Sequence, residues 1–243
     1  MGVRDRMRIL IDFNQGGRDA WVAKKAATLS RGTKVLDAGA GTCRYRSLFR
    51  HCDYVAQDFC ALGEESGGYE NVDLVSDICA IPLPDASVDV ILCTEVLEHL
   101  PDPVGAVAEF SRLLKSEGLL WLTVPLGSGL HQQPYHFYGG FTPHWFRRVL
   151  PVNGFDIVSI EPNGGFFKWY GQETARMHTL LFSKDAGPLR RALLWPLKAI
   201  TFPFLRVGAP LLFGALDRLD REKAFTVGYF VEAVRQPRIR STG

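Results

Sequence analysis

No stretch of about 18 uncharged apolar residues occurs in this 243-residue chain, so the sequence predicts no membrane-spanning helix. The longest apolar run, Val207 to Leu216, is bounded by Arg206 and Asp217. Neither charge sign is in excess: 28 Lys and Arg stand against 26 Asp and Glu, and no global field argues for a nucleic-acid partner. Cysteine is sparse. Cys43, Cys52, Cys60, Cys79 and Cys93 are odd in number, confined to the N-terminal half, and never at C-x-x-C spacing. That excludes the usual zinc and redox motifs and implies reduced core thiols of a cytoplasmic protein. Met1 to Arg8 alternates basic and apolar residues without the continuous apolar stretch of a secretory signal. Internal repeats and low-complexity tracts are absent too.

What is present is an ordinary core-forming composition, 47% apolar, in which short β-branched or apolar runs alternate with longer amphipathic stretches. That is the pattern of repeated βα units and a mainly parallel sheet. Strands are expected at Lys34 to Asp37, Tyr54 to Gln57, Val72 to Val75, Val88 to Cys93, Leu119 to Val124, Phe155 to Ile160 and Phe225 to Val234. Asp102 can cap a helix opened by Pro103, with Val104, Val107, Phe110 and Leu114 at helical spacing and Gly118 beyond its end. Thr142-Pro143 repeats the start signal before a helix that Pro151 should stop. The expected fold class is α/β: a Rossmann-like, seven-stranded, mainly parallel sheet with helices on both faces and a helical insertion before the last strand. The expected division is a core over 1–162, an insertion over 163–223, and the last strand with a C-terminal tail over 224–243.

Two glycines, Gly39 and Gly41, follow the first strand directly, where missing side chains let a ligand approach the backbone. Gly-Ala-Gly alone is equally a tight turn. Asp58 lies nineteen residues beyond Gly39, at the end of the second strand, where a carboxylate can accept from both hydroxyls of an adenosine ribose. Nicotinamide cofactors use that geometry as well. They also use a third glycine that lets a helix pack beneath a pyrophosphate, and here that position is Arg44. A cofactor without pyrophosphate fits better.

The series Val35-Leu36-Asp37-Ala38-Gly39-Ala40-Gly41-Thr42, Asp77-Ile78, Ile81-Pro82-Leu83-Pro84-Asp85, Val88-Asp89-Val90-Ile91, Glu95-Val96-Leu97-Glu98-His99-Leu100 and Leu113-Leu114-Lys115 before Gly118-Leu119-Leu120 resembles the class I S-adenosylmethionine-dependent methyltransferases. The resemblance is to the type 11 group, with its quinone-biosynthesis, small-molecule and glycan methyltransferases, and is close from about Thr33 to Phe146. It implies that S-adenosylmethionine is the cofactor, with Asp37, Gly39 and Gly41 around its methionine part, Asp58 at the ribose, and Ala40 and Phe59 also among the cofactor-binding residues. It further implies Asp77 and Ile78 at the adenine, and Thr94 and Glu95 lining the pocket. Where the group often has glycine after the loop threonine, this chain has Cys43, and a small change of pocket is expected.

A sulfonium methyl is already activated, so the chain must mainly align an acceptor and remove a proton. Histidines near the expected pocket mouth are His99, His131, His136 and His144. His136, in Pro134-Tyr135-His136-Phe137-Tyr138, is the first choice for the base, with aromatic packing as the competing reading. His99 is the second, with a structural hydrogen bond competing. No metal site is expected, although Glu95, Glu98, His99 and a later histidine such as His136 resemble the divalent-metal cluster of small-RNA 3′-end methyltransferases and some quinone O-methyltransferases.

From Pro188 to Leu216 there are four basic residues, Arg190, Arg191, Lys198 and Arg206, and no acidic one, among many Leu, Phe and Trp195. The segment suits peripheral contact with a membrane, a lid over the acceptor site, or a dimer contact, and Pro196, Pro203 and Pro210 should break it into short pieces. The expected activity is O-methylation of a small-molecule, glycan or lipid-linked acceptor in the cytoplasm, with no nucleic acid as partner. Quinone-type C-methylation and a catalytically inactive cofactor-binding module are the alternatives.

Overall fold

The structure is a computed structural model that describes residues 12–60, 71–182 and 187–237, without the side chains of Pro188, Arg190 and Arg191. The basic Met1 to Arg8 segment and residues 238–243 of the expected tail lie outside the described residues. The chain divides into two compact units. A sheet unit holds Trp21–Glu161 and the residues from Gly228 onward, and a helical unit holds Pro162–Val227 with the described residues up to Ala20.

The elements in chain order are α1 (Phe13–Ala26), β1 (Lys34–Ala38), a 3-10 turn (Arg46–Phe49), β2 (Asp53–Asp58), β3 (Leu74–Val75), β4 (Val88–Thr94), α2 (Pro103–Leu113), β5 (Leu114–Pro125), α3 (Pro143–Val152) and β6 (Phe155–Pro162). Then come α4 (Phe166–Leu181), α5 (Pro188–Pro203), a π-helical turn (Phe204–Gly208), α6 (Ala209–Leu216) and β7 (Gly228–Arg235).

The seven strands form one sheet in the order β3-β2-β1-β4-β5-β7-β6. The pairings β1–β2, β1–β4, β2–β3 and β4–β5 are parallel, and β5–β7 is antiparallel. Alternate residues of the central strands feed two separate cores, as strand geometry requires. Leu36, Ile91, Leu120 and Leu122 pack on one face with Phe110, Leu113, Phe146 and Phe155. Val35, Val90, Leu92 and Trp121 pack on the other with Trp21, Val22 and Phe49. Each buried apolar side chain of this kind contributes about 1.5–3 kcal/mol, so the central strands are the most firmly held part of the unit. Strand order reverses between β1 and β4, and in open α/β sheets ligands bind beyond the carboxyl ends of the strands at such a switch.

The local signals behave as expected at α2, where Asp102 Oδ1 accepts the N–H of Gly105 at 2.8 Å. Three expectations within the sheet unit and at its last strand need correction. Leu114 is not helical: β5 begins there, pairing with Val88, and a register shift between Val88 and Val90 takes up the residues before Leu119, so Gly118 lies within the strand. Pro151 sits inside the last turn of α3. The stop is Gly154, in the left-handed region at φ 77°, which L side chains avoid. Finally, β7 begins at Gly228, and Phe225 instead packs edge-on against Trp169, ring centroids 4.6 Å apart, in the helical unit.

In that unit, the buried Asp217 accepts the N–H groups of Gly165 and Lys168 at 2.9 and 3.0 Å, and Asp220 accepts that of Phe166 at 2.7 Å. Two carboxylates from the far end of the segment thus satisfy the free donors at the start of α4, where the helix dipole also favours negative charge. The prolines do not break the segment: Ala192–Leu219 runs as one helix, long and apolar enough to cross a membrane by length and composition.

Candidate active site

Asp37, near the end of β1, is 1% exposed. Its Oδ2 accepts the hydroxyl of Tyr54, and its buried Oδ1 has no hydrogen-bond partner among the described residues. Burial pushes the carboxyl up to about 7, against the lowering effect of the Tyr54 hydrogen bond and with help from the nearby Asp58 charge. A buried carboxylate oxygen left open is costly unless something else satisfies it, and a cationic ligand would do so.

The turn after β1 is held from β2. Gln57, itself 1% exposed, accepts the N–H groups of Gly39 and Ala40 through its carbonyl, both at 2.9 Å. Its side-chain amide donates to the carbonyl of Ser76 at 2.7 Å, so one residue ties the turn to the segment after β3. Asp58 Oδ2 accepts the N–H of Gly41 at 2.8 Å, and Oδ1 that of Cys60 at 2.8 Å. The two glycines answer different needs. Gly39 has φ 75°, and a Cβ there would lie 2.5 Å from Cγ2 of Val96. Gly41 has φ 53°, and a Cβ there would meet no atom within 4 Å, so its backbone faces open space. Cys43 also has positive φ, 55°, a conformation that suits the glycine of related loops; its thiol donates to the carbonyl of Asn71 at 3.1 Å. Beyond this loop the chain makes only the 3-10 turn Arg46–Phe49 before β2 begins.

The remaining expected cofactor residues lie at the same strand ends with distinct surroundings. Asp77 Oδ1 accepts the N–H of Cys79 at 2.8 Å. Ile78 is buried in the sheet core. Thr94 ends β4, and Glu95 turns the chain with φ 53°. The carboxylate of Glu95 accepts the hydroxyl of Thr123 at 2.9 Å. Phe59 is exposed, with its ring 6.5 Å from that of Tyr135.

Tyr135 links the end of β2 to the histidines. Its carbonyl faces Nδ1 of His99, and a carbonyl only accepts, so Nδ1 carries the proton and Nε2 is left for a ligand. Nδ1 of His131 likewise faces the carbonyl of Gly129 at 2.8 Å. Nε2 of His136 lies 3.0 Å from Ser128 Oγ, which donates onward to the carbonyl of Gly139. The hydroxyl therefore accepts from His136, and Nδ1 of His136 is its basic atom. The three rings stand together, with centroids 4.7 Å apart for His99–His131, 4.6 Å for His131–His136 and 5.6 Å for His99–His136. His144 is exposed on the first turn of α3 and is not among them. Burial lowers the basicity of His99, with the His131 and His136 charges acting the same way and the Tyr135 hydrogen bond opposing. Burial and the His131 charge do the same to His136.

The four residues considered from sequence as a metal cluster are not grouped together among the described residues: Glu95 and His136 fall outside the grouping. Instead Glu98, His99 and His131 bring one ligand atom each to within 4.8 Å of one another. Both histidines anchor Nδ1 on a carbonyl, the arrangement usual for imidazole ligands that bind through Nε2. Sequence reasoning did not single out Gln57, Tyr54 or Val96. Gln57 alone carried a signal, a polar residue at the end of an otherwise apolar strand run.

A family model described as a methyltransferase domain matches residues 36–122. A Mycobacterium tuberculosis protein named as a probable S-adenosylmethionine-dependent methyltransferase is 35% identical over 96 residues, covering 37% of this chain and 35% of that protein. A Mycobacteroides abscessus protein named only as a methyltransferase is 31% identical over 145 residues, covering 54% of this chain and 56% of its own. The chain thus spans about a third to a half of the curated relatives it matches. Among solved structures, the [4+2]-cyclase SpnF superposes with a TM-score of 0.53 at 18% identity, over 91% of this chain and 81% of that one. It shares the fold and bears a different activity in its name, so fold alone assigns no reaction.

Proposed function

We propose that this chain, whose residues 36–122 match a methyltransferase-domain model and resemble S-adenosylmethionine-dependent methyltransferases, methylates an oxygen atom of a small-molecule, glycan or lipid-linked acceptor. The cofactor supplies an activated methyl group on a sulfonium. Residues that fit it are Asp37, whose buried Oδ1 suits a cationic group, Gly41, whose backbone is open to a ligand, and Asp58 at the neighbouring strand end. Phe59, Asp77, Ile78, Thr94 and Glu95 stand at the matching strand ends.

The observation that carries the choice of oxygen is the histidine cluster beside the end of β2. A hydroxyl is a poor nucleophile until its proton is taken, and a positioned base contributes about 10²–10⁴-fold. His136, with Nδ1 as its basic atom and Ser128 fixing the ring, is the proposed base. Held largely uncharged at neutral pH, it is ready to accept a proton. His99 positions Tyr135 and the loop that bears His136.

A second reading is favoured by the Glu98, His99 and His131 grouping. A divalent cation held there would lower the pKa of acceptor hydroxyls. Activity that a chelator abolishes and manganese or magnesium restores, lost in His131→Ala, would select this reading over the free base.

The test of the main proposal is incubation with carbon-13 methyl-labelled S-adenosylmethionine and cell extract, with soluble and membrane fractions kept apart. Label in a product whose carbon-13 shift is that of a methyl ether or ester is expected. Label on carbon or nitrogen, or none in any fraction, overturns it.

A further inference from the structure

Within the helical unit, α4 and α6 pack closely, with Gly171 making room: a Cβ there would lie 3.1 Å from Cβ of Phe213 and 3.4 Å from Cα of Pro210. Ala209 and Pro210 are buried in consequence. α5 is different. His178 of α4 touches it, 5.5 Å from Phe202 ring to ring, yet the helix is exposed along most of its length. Leu189, Leu193, Leu197, Ile200 and Phe204 recur at helical spacing as a stripe that is 84%, 78%, 50%, 76% and 62% exposed, with Trp195 beside it at 67%. A stripe so apolar and so uncovered marks a surface for something else.

We propose that α5 docks on the surface of an anionic lipid bilayer. Charge selects this occupant. Pro188 to Leu216 holds Arg190, Arg191, Lys198 and Arg206 and no acidic residue, which suits a negative headgroup layer, and Trp195 suits the boundary between headgroups and acyl chains. Length selects docking over spanning. The Ala192–Leu219 helix would be long enough to cross, but one face of its α6 part packs on α4 through Gly171, Pro210 and Phe213. The 16 residues of α5 extend only about 24 Å, short of the roughly 30 Å hydrocarbon layer. The docking does not depend on methyl transfer. Its corollary, that the acceptor is lipid-linked, rests on the reading under Proposed function.

The experiment is co-sedimentation of the full chain with vesicles of phosphatidylcholine alone and of phosphatidylcholine with phosphatidylglycerol. The expected result is pelleting with the anionic vesicles, weakened by salt, and about fivefold weaker partitioning for each positive charge removed, as in Lys198→Gln. Leu193→Ser with Ile200→Ser should abolish pelleting while circular dichroism stays unchanged, since both positions are exposed. Absence of pelleting, equal binding to neutral vesicles, or retention on vesicles after alkaline carbonate, which marks a spanning helix, would each overturn the proposal. So would a lipid-independent dimer that Leu193→Ser dissolves. Vesicle binding with label confined to soluble products would leave the docking standing and remove only the lipid-linked acceptor.

Discussion

Asp58 at the end of β2 accepts the N–H of Gly41 at 2.8 Å, so a carboxylate on one strand holds the turn that leaves its neighbour. The same group is the one proposed to meet the ribose. Asp58→Ala should therefore cost about 1.5–3 kcal/mol of stability, the worth of a charge-assisted hydrogen bond, and weaken cofactor affinity at least tenfold. Asp58→Asn keeps one acceptor oxygen where the carboxylate served both Gly41 and Cys60, and should recover part of the stability but not the affinity. Thermal melts and calorimetry with S-adenosylhomocysteine separate the two effects.

The two glycines of the turn should respond oppositely to alanine. At Gly39 the new Cβ collides with Val96 on top of a left-handed φ, and destabilisation well beyond the roughly 1–2 kcal/mol of the backbone strain alone is expected. At Gly41 only that strain applies, because the added methyl enters open space. That space is where the proposed cofactor would approach, so Gly41→Ala should fold and lose cofactor affinity. A Gly41→Ala protein that binds S-adenosylhomocysteine normally would remove Gly41 from the site.

Asp37 links stability to pH. Its carboxyl ordinarily titrates near 3.8 and here, chiefly through burial, near 7. Between those values the folded state keeps a proton that the unfolded chain has lost. Its contribution is therefore fully present below about pH 4 and is lost as pH rises through 7, about 4 kcal/mol at most. Asp37→Asn should gain stability over the parent at pH 8, with the difference vanishing toward pH 4. A cationic cofactor favours the ionised form, so binding at pH 6 should release a proton, read by calorimetry in buffers of different ionisation enthalpy. No proton release would place the cofactor's charge away from Asp37.

His136→Ala should lower turnover about 10²-fold or more and leave affinity for S-adenosylhomocysteine unchanged. Because burial lowers its pKa below the ordinary 6.5, the parent's turnover should rise with pH to a plateau already reached by neutrality. In the variant that acid limb should disappear. Ser128→Ala should keep the limb with reduced turnover, since Ser128 only orients the ring. Unchanged turnover in His136→Ala would transfer the role to His99 or to a bound metal.

Much of the cofactor turn was legible because its causes are local. Asp37, Gly39 and Gly41 sit within one short stretch, and both glycines take the left-handed φ that glycine favours, although Cys43 and Glu95 adopt it too. The histidines were legible only as a collection. That His131 joins His99 and Glu98, while Glu95 turns to Thr123, depends on the path of the 126–140 loop, where the carbonyls of Tyr135 and Gly129 set both rings. Pro151 was misjudged for a related reason: Val149 and Leu150 before it are packed in the core, which holds the last turn of α3 despite the hydrogen bond that proline cannot donate.

By itself the sequence determined the alternation of strands and helices and the glycine turn after β1, since strand period, helix caps and backbone strain act over a few residues. Only the tertiary structure decided that Gln57 locks the turn to the segment after β3, that Val96 leaves no room for a side chain at Gly39, and that α6 packs one face on α4 while α5 stays exposed along most of its length. Those facts arise from contacts between residues far apart in the chain, where close packing rather than local preference selects the partner.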